Sequence, residues 1–213
     1  MRVSDLVGEE HERAVRVLLP VRGTRDQWHA WADIVPGAVI DGATTWEQIS
    51  DGAPALVQPP YGSLSEQTSE ALVAALTRDG ERECDFIHWA GYAEDDILPR
   101  EDVVVPAWAL PLVRRLSVDP KKSIRQGVPL DIVVIREPLS WLARELPLHT
   151  QQCPMLILPH DRSFVTACPI YHDSVYIGCT RELGDSLLAA DLDSYPISLD
   201  SMIRGTIDWQ PQT

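Results

Sequence analysis

The hydrophobic residues of this 213-residue chain follow two different spacings. Apolar positions three or four residues apart are typical of helices that bury one face, and short runs rich in Val, Ile and aromatic residues are typical of strands. The first spacing predicts helices over 24–35, 63–79, 138–146 and 180–190. The second predicts strands over 55–58, 84–92, 102–112, 130–137, 163–168, 174–179 and 195–199.

Capping residues mark the ends of several predicted helices. Thr24 and Ser63 each stand three residues before a Gln or Glu, and such a pair forms a capping box in which each side chain accepts a hydrogen bond from the other residue's backbone N–H. Gly80 follows the second helix, where a glycine C-cap is common. Thr180 precedes the last helix as its expected N-cap.

The strand-like segments indicate how the sheet is built. Segment 84–92, CDFIHWAGY, carries large residues on both faces and therefore predicts a central strand. Segments 163–168 and 174–179 are joined by the turn-like PIYHD and predict a β-hairpin. Pro106 ends the 102–112 strand or confines it to a sheet edge, because proline donates no backbone hydrogen bond. These elements predict an α+β fold, a mostly antiparallel sheet with helices packed on it.

The first 62 residues differ in composition from the rest. Their second half is rich in Gly and Pro and predicts a looping connection. The short amphipathic helix before it would bury Trp28 and Trp31 on one face, in the core or, as the alternative, in the groove of a partner. We therefore expect an N-terminal lobe over 1–62 and a main α+β domain over 63–213, or one continuous domain.

The net charge of −14 is unevenly distributed. Residues 61–110 hold 3 basic and 11 acidic side chains, whereas residues 111–150 hold 7 basic and 4 acidic ones. Nucleic-acid binding depends on a surplus of Lys and Arg, so nucleic acid is not an expected partner. An acidic face attracts basic proteins. The simpler interpretation is that the acidic residues keep the protein in solution.

No segment approaches the roughly 18 apolar residues of a membrane-spanning helix. The first 16 residues include Glu9, Glu10, Glu12, Arg13 and Arg16, where a secretory signal would need an apolar stretch. We therefore expect a cytoplasmic protein that does not enter the membrane. The sequence leaves its oligomeric state open.

The four cysteines contain no Cys-x-x-Cys pair and are expected to be free, buried thiols. Cys179 stands at a helix N-terminus, where the dipole can lower a thiol pKa, although packing against the sheet is the simpler interpretation. The spacings of four possible zinc ligands match no common zinc motif, so we predict no metal and no cofactor. These four are Cys153, His160, Cys168 and His172.

No catalytic set is recognisable in the chain. It contains no G-x-S-x-G elbow, no P-loop and no G-x-G-x-x-G. Cys84 and His88 are four residues apart on a predicted strand, which separates them by about 13 Å and prevents a nucleophile–base hydrogen bond. We therefore predict no catalytic residues.

The clearest binding signal is WAGYAEDD, residues 89–96. Aromatic residues beside carboxylates on a loop are typical of a contact patch, although Trp89 would equally fit the core. The first hypothesis is a binding protein that neutralises or regulates a basic protein, as immunity proteins do for toxins, through Trp89, Tyr92, Glu94, Asp95 and Asp96. The second is a small-molecule sensor or enzyme whose pocket is formed by Trp89, Tyr92, Asp173 and Tyr176.

Two segments resemble a group of uncharacterised actinobacterial proteins. In that group a strand ends in Trp-x-Gly-Tyr, and later an Asp-Arg-(Ser/Ala)-Trp precedes an Asp-Ser-Thr-Tyr-Val-Gly-Gly-Ser turn into a Leu-rich helix. The matching positions here are Trp89, Gly91, Tyr92, Asp161, Arg162, Ser163, Asp173, Ser174, Tyr176, Gly178, Thr180 and Leu187.

The resemblance covers about a fifth of the chain, with departures at Phe164, Val175 and Cys179. Pro169 and Tyr171 replace an acidic pair of the group. The group has no established activity, so the resemblance implies only a hairpin, a glycine turn and a helix docked on the sheet. The positions of Cys168 and Cys179 are not held by cysteine in the group, which implies that neither is a required ligand.

Overall fold

A seven-stranded sheet organises the chain, in the order β11-β1-β10-β9-β8-β4-β7, and every neighbouring pair is antiparallel. The computed structural model describes residues 1–23, 27–54, 57, 60–89, 105–116, 124–125, 128–129, 132–144, 152–170 and 172–203. The seven strands are β1 Arg13–Leu18, β4 Glu83–Trp89, β7 Ile132–Pro138, β8 Leu156–Pro159, β9 Phe164–Ala167, β10 Ser174–Cys179 and β11 Ser194–Ile197.

Helices and two small ladders complete the described part of the fold. The helices are α1 Val3–Val7, α2 Trp31–Ile34, α3 Trp46–Ile49, α4 Glu66–Leu76, α5 Leu110–Leu116, α6 Trp141–Arg144 and α7 Arg181–Leu188, with 3₁₀ turns at Ser50–Gly52 and Ala107–Ala109. The ladders pair β2 Val21–Arg22 with β3 Trp28–His29, and β5 Ile124–Arg125 with β6 Val128–Pro129. The predicted α+β fold with a mostly antiparallel sheet is confirmed.

The sheet buries both faces because successive side chains of a strand point to opposite sides. Along β4, Cys84 and Phe86 join the apolar cluster under α4, α6 and α7, and we call this side the α4 face. Ile87 joins the cluster under α1 and α5, and we call this side the α5 face. A third cluster around Trp31 and Trp46, whose rings pack edge to face at 5.5 Å, covers the end of β1.

Several sequence predictions hold within the described residues. Strands β4 and β7, the hairpin of β9 with β10, and β11 lie where the hydrophobic pattern placed them. Thr180 caps α7, since its hydroxyl accepts a hydrogen bond from Leu183 N at 3.3 Å. Helix α4 is also confirmed, but its N-cap is Ser65, which accepts from Thr68 N at 3.1 Å, rather than Ser63. Helix α6 keeps the central part of the predicted 138–146 helix.

The helix predicted over 24–35 is wrong in its first half. Trp28 and His29 form a strand paired with β2, and the helix spans only Trp31–Ile34. Next to this ladder, Gly23 N donates to Gln27 O at 2.8 Å. The capping residue predicted at Thr24 lies outside the described residues. The pattern failed because apolar residues three apart also fit a hairpin edge.

The strand predicted over 102–112 is wrong throughout its described part, residues 105–112, none of which lies in a strand. A 3₁₀ turn covers Ala107–Ala109, and α5 follows directly. Leu112, Val113 and Leu116 are buried on one side of α5, which is a helical spacing. Within the seven-stranded sheet, the pattern did not predict β1 and β8.

The division at residue 62 stays a prediction. Strand β1 comes from the first 62 residues and lies between β10 and β11, inside the sheet that later residues form. The strand expected over 55–58 falls mostly outside the described residues. Among the described helices, none has the length and hydrophobicity that crossing a membrane requires.

Candidate functional site

A pocket of about 420 Å³ lies at the sheet edge where β4 begins and β7 and β8 end. Small-molecule sites commonly occupy 300 to 1,000 Å³, so this volume suits a small ligand. We call it the Asp85 pocket, after the carboxylate in its wall. It is lined by Asp85, Pro106, Ala107, Trp108, Arg136, Leu158, Pro159, His160 and Arg162.

The sheet register fixes the charged wall of the Asp85 pocket. Asp85 stands opposite Arg136 on β7 and opposite Leu158 on β8. Arg136 Nε donates to Asp85 Oδ1 at 2.8 Å, and His160 Nε2 lies 3.4 Å from the same oxygen. Antiparallel pairing therefore holds one carboxylate between a guanidinium and an imidazole.

The second oxygen of Asp85 distinguishes this group. The Asp85 side chain is 0 % exposed, and Oδ2 has no hydrogen-bond partner among the described residues. Leaving a charged oxygen buried and unpaired costs about 1–3 kcal/mol or more. The side chains of Arg136 and His160 are 41 % and 43 % exposed, so the pair opens toward the pocket rather than into the core.

A strained turn between β8 and β9 carries the second guanidinium group of the pocket. Arg162 has φ +58°, which among the described non-glycine residues is the one positive φ. Asp161 closes the turn by accepting hydrogen bonds from Ser163 N and Oγ, and Arg82 Nε lies 3.1 Å from its other oxygen. The Arg162 guanidinium then lies over the Trp108 ring, 5.0 Å from its centroid.

The charges around Asp161 also affect its ionisation. Burial acts to raise the pKa of Asp161, but the hydrogen bonds from Ser163 and the charge of Arg82 lower it overall. The carboxylate therefore stays ionised and holds the turn closed over a wide pH range.

The lining residues of the Asp85 pocket comprise a charged group and an apolar group. Two guanidinium groups and one imidazole face a single carboxylate, so the pocket is locally cationic in a chain of net charge −14. Pro106, Ala107 and Trp108 supply an apolar part of the lining, and the Trp108 ring lies against the Arg162 guanidinium.

Two predicted binding residues, Asp173 and Tyr176, lie together elsewhere, in a buried group that we call the Asp173 cluster. Arg16 on β1 bonds Asp173 Oδ1 at 3.0 Å and Ser174 Oγ at 2.8 Å, and its guanidinium lies 5.9 Å from the Tyr176 ring. The remaining Arg16 donors bind the backbone oxygens of Gly42 and Thr44. Asp173 Oδ2 accepts from Trp46 N at 3.0 Å.

The Asp173 cluster is closed to solvent, with Arg16 and Asp173 side chains 2 % and 3 % exposed. Burial acts to raise the pKa of Asp173, but the nearby His172 and Arg16 together hold it well below its usual range. His172 Nδ1 lies 3.3 Å from Asp173 Oδ1 without hydrogen-bond geometry, and both ring nitrogens are buried without partners among the described residues. Burial raises the pKa of Tyr176.

The other predicted binding residues are separated from this cluster or undescribed. Trp89 is half-buried at the end of β4 and packs on the α5 face. Strands β8 and β9 lie between β4 and β10, so Trp89 is three strand spacings, roughly 14 Å, from the strand of Asp173 and Tyr176. Tyr92, Glu94, Asp95 and Asp96 lie outside the described residues.

The soft side chains are dispersed in the fold. Cys153 and Cys168 lie near the start of β8, whereas His160 follows its far end. Across the described ranges, no group of three or more His, Cys, Asp or Glu side chains is placed to hold a metal ion. All four cysteines are free and buried, and burial raises the pKa of Cys179 to about 11. Cys84 and His88 are separated by Phe86 on the α4 face.

Sequence reasoning missed Asp85, Arg136, His160 and Arg162 as one site. One signal was present: a single charged residue inside an apolar strand, as in CDFIHW for Asp85 and AVRVLL for Arg16. Buried charges need partners, so such residues are candidates for ion pairs or sites. The partners come from other strands, and the sequence alone does not give the register that unites them.

Compared with known protein families, with curated proteins and with solved structures, the chain matches none of them. The functional inference therefore depends on the geometry of the pocket.

Proposed function

We propose that this protein is a non-catalytic binding protein that holds a small polar ligand in the Asp85 pocket. The observation that carries the proposal is the Asp85 carboxylate, which is fully buried in the wall of a 420 Å³ pocket and has one oxygen without a hydrogen-bond partner among the described residues. Buried polar groups in folded proteins are nearly always hydrogen-bonded, so an unpaired one beside a pocket calls for an explanation. A ligand that supplies the missing hydrogen bond is that explanation.

A steric variant tests the proposal without changing any charge. Ala107 lines the pocket and is exposed, so Ala107→Trp should fill the pocket and leave the fold intact. Ala74→Trp, at an exposed position of α4, is the matched control. We expect at least one metabolite in a thermal-shift screen to stabilise the wild type and the control but not Ala107→Trp. A hit that stabilises all three proteins equally would place its site elsewhere.

A second candidate function is neutralisation or regulation of a basic protein partner in the cytoplasm. The net charge of −14 and the excess of 11 acidic over 3 basic residues within 61–110 favour it. Under this proposal Trp89, Tyr92, Glu94, Asp95 and Asp96 form the contact patch. The four free thiols are consistent with the reducing compartment that this proposal assumes.

Charge reversal tests the second candidate. The double variant Asp95→Lys/Asp96→Lys should weaken binding to immobilised basic proteins at low salt. The double variant Asp51→Lys/Glu70→Lys changes the net charge equally at exposed positions elsewhere and serves as the control. Equal losses in both variants would attribute the binding to net charge alone and count against a contact patch.

A further inference from the structure

We infer that the ligand of the Asp85 pocket is a small organic anion that also carries a hydroxyl or ammonium donor. This inference rests on the proposed function and adds the chemical class of the ligand. A carboxylate or phosphate group would bind Arg162, and a neighbouring donor would bind Asp85 Oδ2. Its carbon skeleton would pack against the wall formed by Pro106, Ala107 and Trp108.

The anion preference follows from the charges of the lining residues. Arg136 and Arg162 outnumber Asp85, whose charge is already engaged by Arg136 Nε at 2.8 Å. Arg162 makes no ion pair with any described carboxylate and contacts the Trp108 ring. Guanidinium groups bind carboxylate and phosphate through paired N–H donors, so Arg162 is suited to hold an anionic group at the mouth of the pocket.

The donor requirement follows from Asp85. An ionised carboxylate only accepts hydrogen bonds, and Oδ2 has none from the described residues. A hydroxyl or ammonium group on the ligand would satisfy it, whereas an anion without such a donor would leave it unpaired. Sites of this kind discriminate strongly, because the analogue that lacks the donor leaves a buried polar atom without a partner.

Movement of the His160 side chain would give a ligand access to Asp85 Oδ2. Oδ2 is buried, so a neighbouring side chain has to move before a ligand can reach it. The His160 ring is 43 % exposed and its contact with Asp85 Oδ1 is long, at 3.4 Å. An exposed side chain changes rotamer within nanoseconds, so this movement would not limit binding.

Four probes separate the two requirements, measured by isothermal titration calorimetry on the full chain. Gluconate carries a carboxylate with hydroxyls, hexanoate a carboxylate alone, and sorbitol hydroxyls alone. Glucose 6-phosphate replaces the carboxylate with a phosphate and so distinguishes the two anion sources. We expect gluconate or glucose 6-phosphate to bind at least about tenfold more tightly than hexanoate and sorbitol.

Two charge variants assign the interactions, each with a matched control. Arg162→Met should weaken the preferred anion about tenfold, whereas Arg181→Met, at an exposed helix start, should not. Asp85→Asn should reduce the preference for gluconate over hexanoate about tenfold. Glu83→Gln makes the same chemical change two residues earlier, at an exposed position, and should leave that preference unchanged.

The outcomes separate this inference from the proposed function. If a neutral or cationic compound binds in a manner blocked by Ala107→Trp, the pocket binds ligands but the anion assignment is wrong. If neither anionic probe with hydroxyls binds, or if Arg162→Met and Asp85→Asn leave their binding unchanged, the inference is overturned. If no compound of any class responds to Ala107→Trp, the proposed function itself fails.

Discussion

Two buried aspartates form ion pairs that differ in how completely their oxygens are hydrogen-bonded. Asp173 and Asp85 each pair with an arginine from a neighbouring strand, and each lies beside a histidine. In the Asp173 cluster both carboxylate oxygens have partners, and the arginine is 2 % exposed. In the Asp85 pocket one oxygen has no partner among the described residues, and the arginine is 41 % exposed.

The two ion pairs differ in how many of their hydrogen-bond donors and acceptors have partners among the described residues. Arg16 binds Asp173, Ser174 and two backbone oxygens of the 41–46 loop, so its donors are used within the protein. That arrangement fixes a loop on the sheet, which is a role in folding. The Asp85 pair leaves one carboxylate oxygen without a partner among the described residues and borders a cavity. We therefore regard a buried ion pair with an unpaired oxygen beside a cavity, rather than any buried charge, as the indication of a ligand site.

The largest expected effect comes from neutralising Asp173. The Asp173 carboxylate accepts hydrogen bonds from Arg16 and from Trp46 N. Asp173→Asn replaces one of its oxygens with an amide nitrogen that donates, and it leaves Arg16 buried without its counter-charge. Removing one partner of a buried ion pair costs about 3–5 kcal/mol. Urea unfolding of the variant should show this loss as a lower midpoint with an unchanged slope.

The equivalent change at the pocket is the matched control. Asp85→Asn should alter the free energy of unfolding by no more than about 1 kcal/mol. It removes a buried charge with an unpaired oxygen, and the half-exposed Arg136 remains accessible to water. Equal losses in the two variants would show that Asp85 also serves the fold, and would remove the basis for the comparison.

Acid should destabilise the protein through protonation of the buried His88 imidazole rather than through Asp85 or Asp173. Burial lowers the pKa of His88 to about 4 from 6.5, so the unfolded chain binds the proton first as the pH falls. Stability is therefore complete above pH 6.5 and decreases between 6.5 and 4, by at most about 3 kcal/mol. Half-buried His11, whose pKa burial also lowers, adds to the loss in the same direction.

His88→Leu should flatten most of this slope, measured as urea midpoints at several pH values. His29→Leu, which changes a half-buried histidine of β3, should leave the slope in place. The lowered pKa of Asp173 has the opposite window: its contribution is present above about pH 4 and is lost as the pH falls further. A slope between 6.5 and 4 that survives His88→Leu would contradict the assignment.

Much of the sheet could be predicted from the sequence, because buried strands consist of short runs of apolar residues that are recognisable in the sequence. Strand β4 and the β9–β10 hairpin have the apolar runs and turn residues that strands need, and Thr180 has the side chain of an N-cap. Strand β1 was missed because Arg13 and Arg16 interrupt its apolar run, although Arg16 is buried. A strand that contributes a charged residue to a buried ion pair is therefore difficult to recognise from its hydrophobic residues.

The candidate site was less predictable than the fold. Asp85, Arg136 and His160 are up to 75 positions apart in the chain, and only the pairing of β4 with β7 and β8 unites them. Asp173 and Tyr176 are close in space because they are close in the chain: Asp173 directly precedes β10, and Tyr176 lies on it. Which of two buried aspartates retains an unused oxygen depends on angstrom-level geometry, which residue spacing does not contain.

The loop held by Arg16 offers a test of moderate size. A Cβ added to Gly42 would lie 2.5 Å from the backbone oxygen of Pro196 on β11, so Gly42→Ala should force the loop away from the sheet. We expect a loss of about 1–3 kcal/mol in urea unfolding, typical of overpacking. At Gly52 the nearest atom is a side-chain methyl group of Val35 at 3.0 Å, which can move, so Gly52→Ala should cost less. Equal costs would mean that the loop is not clamped at Gly42.

The smallest expected effect tests the strain beside the Asp85 pocket. With φ +58°, Arg162 adopts a conformation that costs an ordinary residue about 1–2 kcal/mol and costs glycine little. Glycine loses about 0.5–1 kcal/mol more than alanine in backbone entropy on folding. Arg162→Gly should therefore be more stable than Arg162→Ala by up to about 1 kcal/mol, measured as the difference between their urea unfolding free energies.

Both Arg162 variants lose the guanidinium, so its contact with Trp108 cancels in the comparison. Glu70, exposed within α4, provides the control, because there alanine should be more stable than glycine by about 1 kcal/mol. The same order at both positions would show that Arg162 is not left-handed in solution. Opposite orders at the two positions would show that Arg162 keeps its strained backbone conformation beside the Asp85 pocket. The described residues of the Asp173 cluster have no such strain. Backbone strain of this kind concentrates at functional sites.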